Sequence, residues 1–567
     1  MEIKAPWTYS YGDVPPHLEY PEWTMSQQIM DVASTNPQKT ALSFMGRNIS
    51  YALLSKNIEK VAKSLAALGI KKGDYVTLCM PNVPQTVYCL YAVNMIGAIA
   101  SMIHPLSAEG EIVHFVNETG SKCLVTLDLF AKKVLNVKNE CNLEKIIVSG
   151  IDDELSAVKA IGYRLTSGRN IEKVQDSSIV KWKDFLSCGD AFKGEYKSFS
   201  DKDDTAVILF SGGTTGTSKG IELSNYNFNA LAYQTDKMSN CNIGNLSMLA
   251  AMPAFHGFGL GVCIHTMLYA GGRSILVPRF NAKDYANLIK KQKPNLIAGV
   301  PTLFDAIVSN PYLDGVDLSF LKGVFSGGDS LAPDLKKKID AFLEDHGATI
   351  HVREGYGTTE CVTASCLTPY FNEKEGSIGI PFPDTYYKIC ALGTNEEVEY
   401  GQLGEICICG PTVMKGYLNR PEETENVLET HPDGFLWLRT GDLGSMDEDG
   451  FVYFKQRIKR MIVTSGYNVY PSQLEKIINE HDSVLLSCVI GVPDPHKVQK
   501  VKAFVVLNNG YEAGDELKKE LMEHCRKHIA KYAMPYDIEF RDSLPTTKVG
   551  KIAYTELEKE EAMALSV

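Results

Sequence analysis

"FSGGTTGTSKGIELS", residues 210–224, gathers glycines, threonines and serines around one lysine, between the apolar strand-like run "TAVILF" (205–210) and what reads as a helix. Core packing does not call for such a stretch, because Gly and Thr bury little apolar surface and Gly raises the entropy cost of ordering a loop. A Gly/Ser/Thr loop leaving a strand can instead turn successive backbone N–H groups inward as a nest for an anion. Hydroxyls add donors and a lysine adds a compact positive charge. Phosphate is the natural guest, and a flexible surface turn is the alternative. The stretch is not a Walker A loop, which needs G-x-x-x-x-G-K-[ST]; the only Gly-Lys pair is Gly550-Lys551, in a different context.

Outward from this loop, residues 40–360 alternate helical and strand-like patterns. In "NIEKVAKSLAALG", Ile58, Val61, Ala62, Leu65 and Leu68 share one helical face and Gly69 suits a C-cap. "DYVTLCM", "KCLVTL", "SMLAAM", "RSILV", "NLIAGV" and "KGVF" are short apolar runs with helical intervals between several of them. Such alternation implies mostly parallel sheets with helices on their faces, whose binding sites form at the carboxyl ends of strands. "FSGG" occurs twice, at 210–213 and 325–328, each time after an apolar run. Residues 385–455 turn β-rich, and the last hundred or so read as a small α+β unit. The expected architecture is an α/β chain. A large N-terminal domain of layered, mostly parallel sheets (1–458, with a β-rich subdomain at about 385–455) is joined by a hinge to a small α+β C-terminal domain (459–567).

Bulk properties narrow the function. A chain of 567 residues is too long for one core. A net charge of −12 argues against a general nucleic-acid binder or a polybasic membrane-surface protein, though not against a nucleotide in one basic pocket. The fourteen cysteines include no CxxC pair, and with no signal peptide they read as reduced thiols of a cytoplasmic protein. Cys407 and Cys409 fit alternate sides of a strand better than two zinc ligands. "VYCLYAVNMIGAIASMI" (87–103) is too short for a membrane span and is interrupted by Asn94 and Ser101, so it reads as a buried helix running into a buried strand.

Four further motifs follow the glycine loop in order: "REGYGTTE" (353–360), "RTGDLG" (439–444), "FKQRIKR" (454–460) and "LPTTKVGKI" (544–552). Together the five resemble the adenylate-forming superfamily over nearly the whole chain, and "GPTVMKGYLNRPEET" (410–424) with "DGFLWLRTGDLG" resembles its acyl-CoA synthetases. The resemblance implies an ATP-dependent ligase. It would join a carboxylic acid, with a medium- or long-chain fatty acid first in line, to AMP with release of pyrophosphate, then pass the acyl group to coenzyme A with release of AMP. An aryl- or dicarboxylate–CoA ligase, or an enzyme loading a carrier protein, stays open as the alternative. ATP, Mg²⁺ and CoA are implied, nucleic acid is not, and peripheral membrane contact and a homodimer are left open.

By the same resemblance, Ser211, Gly212, Gly213, Thr214, Thr215, Gly216 and Lys219 form the triphosphate loop, with Gly212 and Ser218 standing where the family usually has Ser and Pro. Glu360 would hold Mg²⁺. Tyr356 would stack on adenine, with Gly355, Gly357 and Thr359 around it and Gly328 and Asp329 on the adenine-side loop. Asp442 would accept from both ribose hydroxyls, as an acceptor-only carboxylate suits a vicinal diol, and Arg457 would reach the ribose or a phosphate. Lys459 takes the hinge position, Ser465 and Gly466 the CoA channel, and Lys551 the catalytic position beside the reacting carboxylate and α-phosphate. His256, in "MPAFHGFG" (252–259), is either a residue of the acyl pocket or a packed core histidine.

Overall fold

The computed structural model describes residues 4–172, 174–211, 218–464, 467–494, 497–547 and 551–565. The chain divides into two compact units. The first comprises 1–387, 408–438 and 449–451; the second comprises 388–407, 439–448 and 452–567. By contacts, therefore, 388–407 and 439–448 group with the C-terminal residues, whereas the sequence expectation placed them before the hinge.

The first unit is built on two large sheets, as the alternating pattern implied. In one, six parallel strands run in the order Thr40–Phe44, Arg273–Leu276, Ser247–Ala250, Leu296–Gly299, Gly323–Gly327 and Val352–Tyr356, with antiparallel strands at both edges. In the other, Thr205–Ser211, Ile99–Ile103, Tyr75–Cys79, Cys123–Leu127, Lys145–Ser149 and Ile179–Lys181 are parallel, and Lys219–Ser224 lies antiparallel to Thr205–Ser211. The glycine loop thus connects adjacent antiparallel strands, and it was expected to open a helix. The helix comes after the second strand, at Asn225–Met238, capped by the Ser224 hydroxyl on the Asn227 N–H.

Local sequence explains the helices. Tyr51–Ala67 starts at the Ser50 side chain, buries Ile58, Val61, Ala62 and Leu65, and ends before Gly69 at φ +88°. A left-handed residue closes a helix best when it is glycine. Pro84–Met95 is buried on every side, as an all-round apolar helix must be. Its buried Asn94 is satisfied: the side chain donates to Asn225 Oδ1 at 2.7 Å and accepts from Ser26 N–H at 2.8 Å. The strand Ile99–Ile103 follows. Among the described residues no helix is long and apolar enough to cross a membrane.

In the second unit a hairpin pairs Asp442 of the strand Leu436–Met446 with Arg457 of Val452–Arg457. The C-terminal sheet joins Val484–Asp494 to Val498–Leu507, with Asp537–Phe540 parallel to the latter and helices Pro471–Asn479 and Asp515–His528 supplying apolar faces to its core. All fourteen cysteines are free thiols. Cys407 and Cys409 do lie in one strand, Gly404–Cys409, but a spacing of two puts both on the same face, which corrects the expectation of alternate sides.

Candidate functional site

Within the first unit, the expected residues gather at strand ends. Gly323–Gly327 and Val352–Tyr356 are neighbours with Gly327 opposite Gly355, so the adenine-side loop and the "GYG" turn start side by side. Two glycines of these turns have a reason to be glycine. Gly328 sits at φ +82°. A Cβ on Gly357 would lie 2.2 Å from the Thr363 carbonyl oxygen. Tyr356 ends its strand with its ring edge-on to Tyr387, centroids 6.4 Å apart, and Thr359 opens the short turn Thr359–Cys361 that carries Glu360. Asp329 is exposed and accepts from the Ser330 N–H.

Ser211 ends one strand and Lys219 begins the next, directly paired across the loop. Gly212, Gly213, Thr214, Thr215 and Gly216 lie outside the described residues, as do Ser465 and Gly466. Lys219 forms an ion pair with Glu423 and lies over the Tyr417 ring, 4.7 Å from its centroid. The Tyr417 hydroxyl donates to Glu360 Oε1 at 2.9 Å. One tyrosine therefore touches both the lysine expected on phosphate and the glutamate expected on magnesium. It is placed there by the two-residue strand Gly416–Tyr417, which pairs with Lys219–Ser224. Arg420 ties Glu423 to Glu118 at 3.0 and 3.1 Å, and His114 donates to the Ser218 carbonyl at 2.9 Å. The Lys219 ammonium beside it, then Arg420, holds the Glu423 carboxyl below the usual range.

Glu354, inside the "REGYGTTE" motif, is half-buried, and its loss of water contact raises its carboxyl to about 7; the Leu331 N–H and the Lys336 charge act the other way. It accepts from that N–H at 3.3 Å and so ties the strand carrying Tyr356 to the end of the Gly328 loop. Arg353 beside it is buried among three carbonyls, those of Thr368, Ser239 and Met238, at 2.7, 3.0 and 2.8 Å.

A small cavity borders Gly327, Gly328 and Gly355. Its walls are mostly apolar: Phe258 and Val262 come from the π-helix Phe258–Thr266, Leu296 and Phe325 from the sheet, and Phe382 from beyond it. The Ser326 and Thr235 hydroxyls, which also line it, have no hydrogen-bond partner among the described residues. His256 lies just before the π-helix, half-buried, its Nδ1 accepting from the Phe258 N–H at 3.1 Å. The packed core histidine of this region is a different one. His265 is fully buried between the Tyr91 hydroxyl at 3.0 Å and Asn229 Oδ1 at 3.1 Å, and burial depresses it to about 3.

The second unit holds the remaining described candidates. Asp442 is buried and its Oδ1 is 3.0 Å from Arg457 Nε, the cross-strand pairing having set them opposite. The Thr440 hydroxyl accepts from the Asp442 N–H at 3.1 Å, and Glu405 accepts from the Gly441 N–H at 3.0 Å while pairing with Arg439 at 2.6 Å, so the turn is braced. Lys459 is exposed on the short turn Ile458–Arg460. Lys551 is fixed through its backbone, which exchanges bonds with Thr547 at 2.6 and 3.1 Å.

A layered parallel α/β unit with a charged cluster and an apolar cavity at its strand ends, followed by a small α+β unit, defines a class, and the sequence matches it. The chain belongs to the AMP-binding enzyme family, matching that family over residues 29–418 and its C-terminal domain over 473–551. The long-chain-fatty-acid–CoA ligase of Bacillus subtilis is 35% identical over 567 residues, 99% of each chain. That of Yersinia pestis is 32% identical over 572 residues, 98% of each. The crystal structure of ATP-bound MatB from Rhodopseudomonas palustris has the same fold, with a TM-score of 0.82 at 24% identity, covering 96% of this chain and 100% of that one.

Sequence reasoning passed over Tyr417 and Glu354, although both lie in stretches it quoted. Tyr417 carries no charge and no spacing signal. Glu354 reads in the sequence as one more charged residue of its motif, since the packing that shields its carboxyl comes from the distant Leu331 loop.

Proposed function

We propose that the protein is an ATP-dependent carboxylic acid–CoA ligase acting on a long-chain fatty acid. The observation that carries this is the apolar cavity beside Gly328 and Gly355, where the adenine end of the site is expected. An acid lying in it with its carboxylate outward would present that group beside the nucleotide. The names of the full-length relatives support the same reading. The Ser326 and Thr235 hydroxyls leave an aryl acid as the second reading, since a ring substituent with an oxygen would pair with them.

In the proposed reaction a carboxylate oxygen attacks the α-phosphorus, and the bond to the departing pyrophosphate breaks. The CoA thiolate then attacks the acyl carbonyl carbon and AMP leaves. The carboxylate is already ionised, so the barrier is mainly repulsion between anions, and the protein's task is positioning and positive charge. Lys219 and the glycine loop would hold the phosphates, Lys551 would sit between carboxylate and α-phosphate, and Asp442 would receive the ribose. Glu360 fits a magnesium ion carried in on the nucleotide: one oxygen holds the Tyr417 hydroxyl, and no cluster of three His, Cys, Asp or Glu exists among the described residues. Such an ion takes most of its ligands from phosphates and water and would neutralise charge there. Lys459 would be the hinge between the 1–458 and 459–567 domains, Ser465 and Gly466 would face CoA, and His256 would stand near the reacting carboxylate. A cytoplasmic enzyme is the setting that suits these soluble co-substrates and the free thiols.

The test is pyrophosphate release from Mg-ATP with a panel of fatty and aromatic acids, each with and without CoA. CoA-dependent turnover that is greatest with palmitate or its neighbours is the expected result. Turnover that ignores CoA, or that favours benzoate or coumarate, would overturn the substrate assignment.

A further inference from the structure

The far end of the glycine loop is ringed by charges from three separate segments. Glu423 stands on the short helix Pro421–Glu425 and divides its carboxylate: Oε2 pairs with Lys219, and Oε1 accepts from Arg420 at 3.0 Å. Arg420 reaches on to Glu118 of the helix Glu109–Thr119 at 3.1 Å. His114 of that helix lies 3.0 Å from Glu118 and donates to the Ser218 carbonyl, so the ring closes on the residue beside Lys219. Glu423 is held in this place by its own segment. Thr424 Oγ1 accepts from the Tyr417 N–H and donates to the Arg420 carbonyl, both at 2.9 Å, and Asn419 Nδ2 donates to the Glu118 carbonyl at 3.0 Å.

Lys219 therefore carries a carboxylate where a triphosphate is expected. A carboxylate and a phosphate on one ammonium repel each other, so one must give way to the other. Glu423 can give way, because Arg420 already holds its other oxygen and no charge is left unpaired. The Lys219 and Glu423 side chains are 19% and 36% exposed. A pair this open to water is weak enough for a polyanion to displace.

We propose that Glu423 competes with the nucleotide's phosphates for Lys219, and that an arriving triphosphate displaces it onto Arg420. Glu423 is thereby a positioning residue that acts through Lys219 and sets how tightly ATP binds. The inference rests on the nucleotide reading of the glycine loop, and its test needs no turnover. A fluorescent AMP analogue bound to the full chain is displaced by Mg-ATP and, separately, by AMP. The wild type is compared with Glu423→Gln, with Lys219→Met and with the double variant. The expected result is that Glu423→Gln binds Mg-ATP about threefold or more tightly than the wild type, with AMP unchanged. In the Lys219→Met background the same change should have no effect on Mg-ATP. Three results would overturn the inference while leaving the nucleotide site intact: a Glu423→Gln variant that binds Mg-ATP no more tightly than the wild type, equal tightening for AMP, or equal tightening without Lys219. A wild type that binds neither nucleotide would overturn the reading of the loop and this inference with it.

Discussion

Tyr417 is the residue on which the charged cluster turns. Its hydroxyl fixes Glu360 and its ring carries Lys219. Tyr417→Phe keeps the ring and removes the hydroxyl that bonds Glu360, so it should raise the Mg²⁺ concentration needed for nucleotide binding several-fold while leaving the unfolding temperature within a degree or two, about what loss of one hydrogen bond to a charged group predicts. A fluorescent ATP analogue titrated against Mg²⁺ checks this without turnover, and superimposable curves would refute it. Glu354 gives a pH prediction. Burial raises its folded-state value to about 7. Between the ordinary carboxylate value and that point the native state holds a proton the unfolded chain has lost. The stability from the protonated group is complete at low pH and is lost as pH rises through about 7. Thermal unfolding followed from about pH 5 to pH 8 should therefore fall less steeply in Glu354→Gln than in the wild type; parallel profiles would contradict this.

At the scale of elements, the sequence marked some things plainly and others not at all. The parallel sheets were legible because each strand is a short apolar run between helical intervals. The buried helix Pro84–Met95 was legible because its apolar stretch is too short to span a membrane. The cavity was not legible. Its walls come from segments between Thr235 and Phe382 that only the sheet order brings together, and no local pattern records that order. The connection across the glycine loop was misjudged for a related reason: "KGIELS" has a strand's apolar content, but the loop's likeness to phosphate nests at helix starts outweighed it. The cavity makes its own prediction. Val262→Phe puts a ring into the space lined by Phe258 and Leu296, and should cut kcat/KM for palmitate by about tenfold or more while sparing octanoate, in keeping with pocket discrimination of 1–3 kcal/mol. Equal loss on both acids would mean the residue does not line the acyl path. Gly357→Ala should disable the "GYG" turn, since its Cβ would meet the Thr363 carbonyl oxygen and backbone cannot step aside cheaply.

The whole molecule divides its candidate chemistry between two units. Lys219, Glu360, Tyr356 and the cavity belong to the first; Asp442, Arg457, Lys459 and Lys551 belong to the second. The motif order announced all of these residues, because each motif is local in sequence. The grouping of 388–407 and 439–448 with the C-terminal residues was not announced, because it depends on pairings far apart along the chain. The proposed account requires the second unit to deliver Lys551 to the reacting carboxylate. The most direct measurement is pyrophosphate release from Mg-ATP and palmitate by the wild type and by Lys551→Ala. The account predicts palmitate-dependent release that falls by about a hundredfold or more in the variant, the scale of losing one positive group at a developing charge. Release that does not depend on palmitate, or a variant within a few-fold of the wild type, would contradict it.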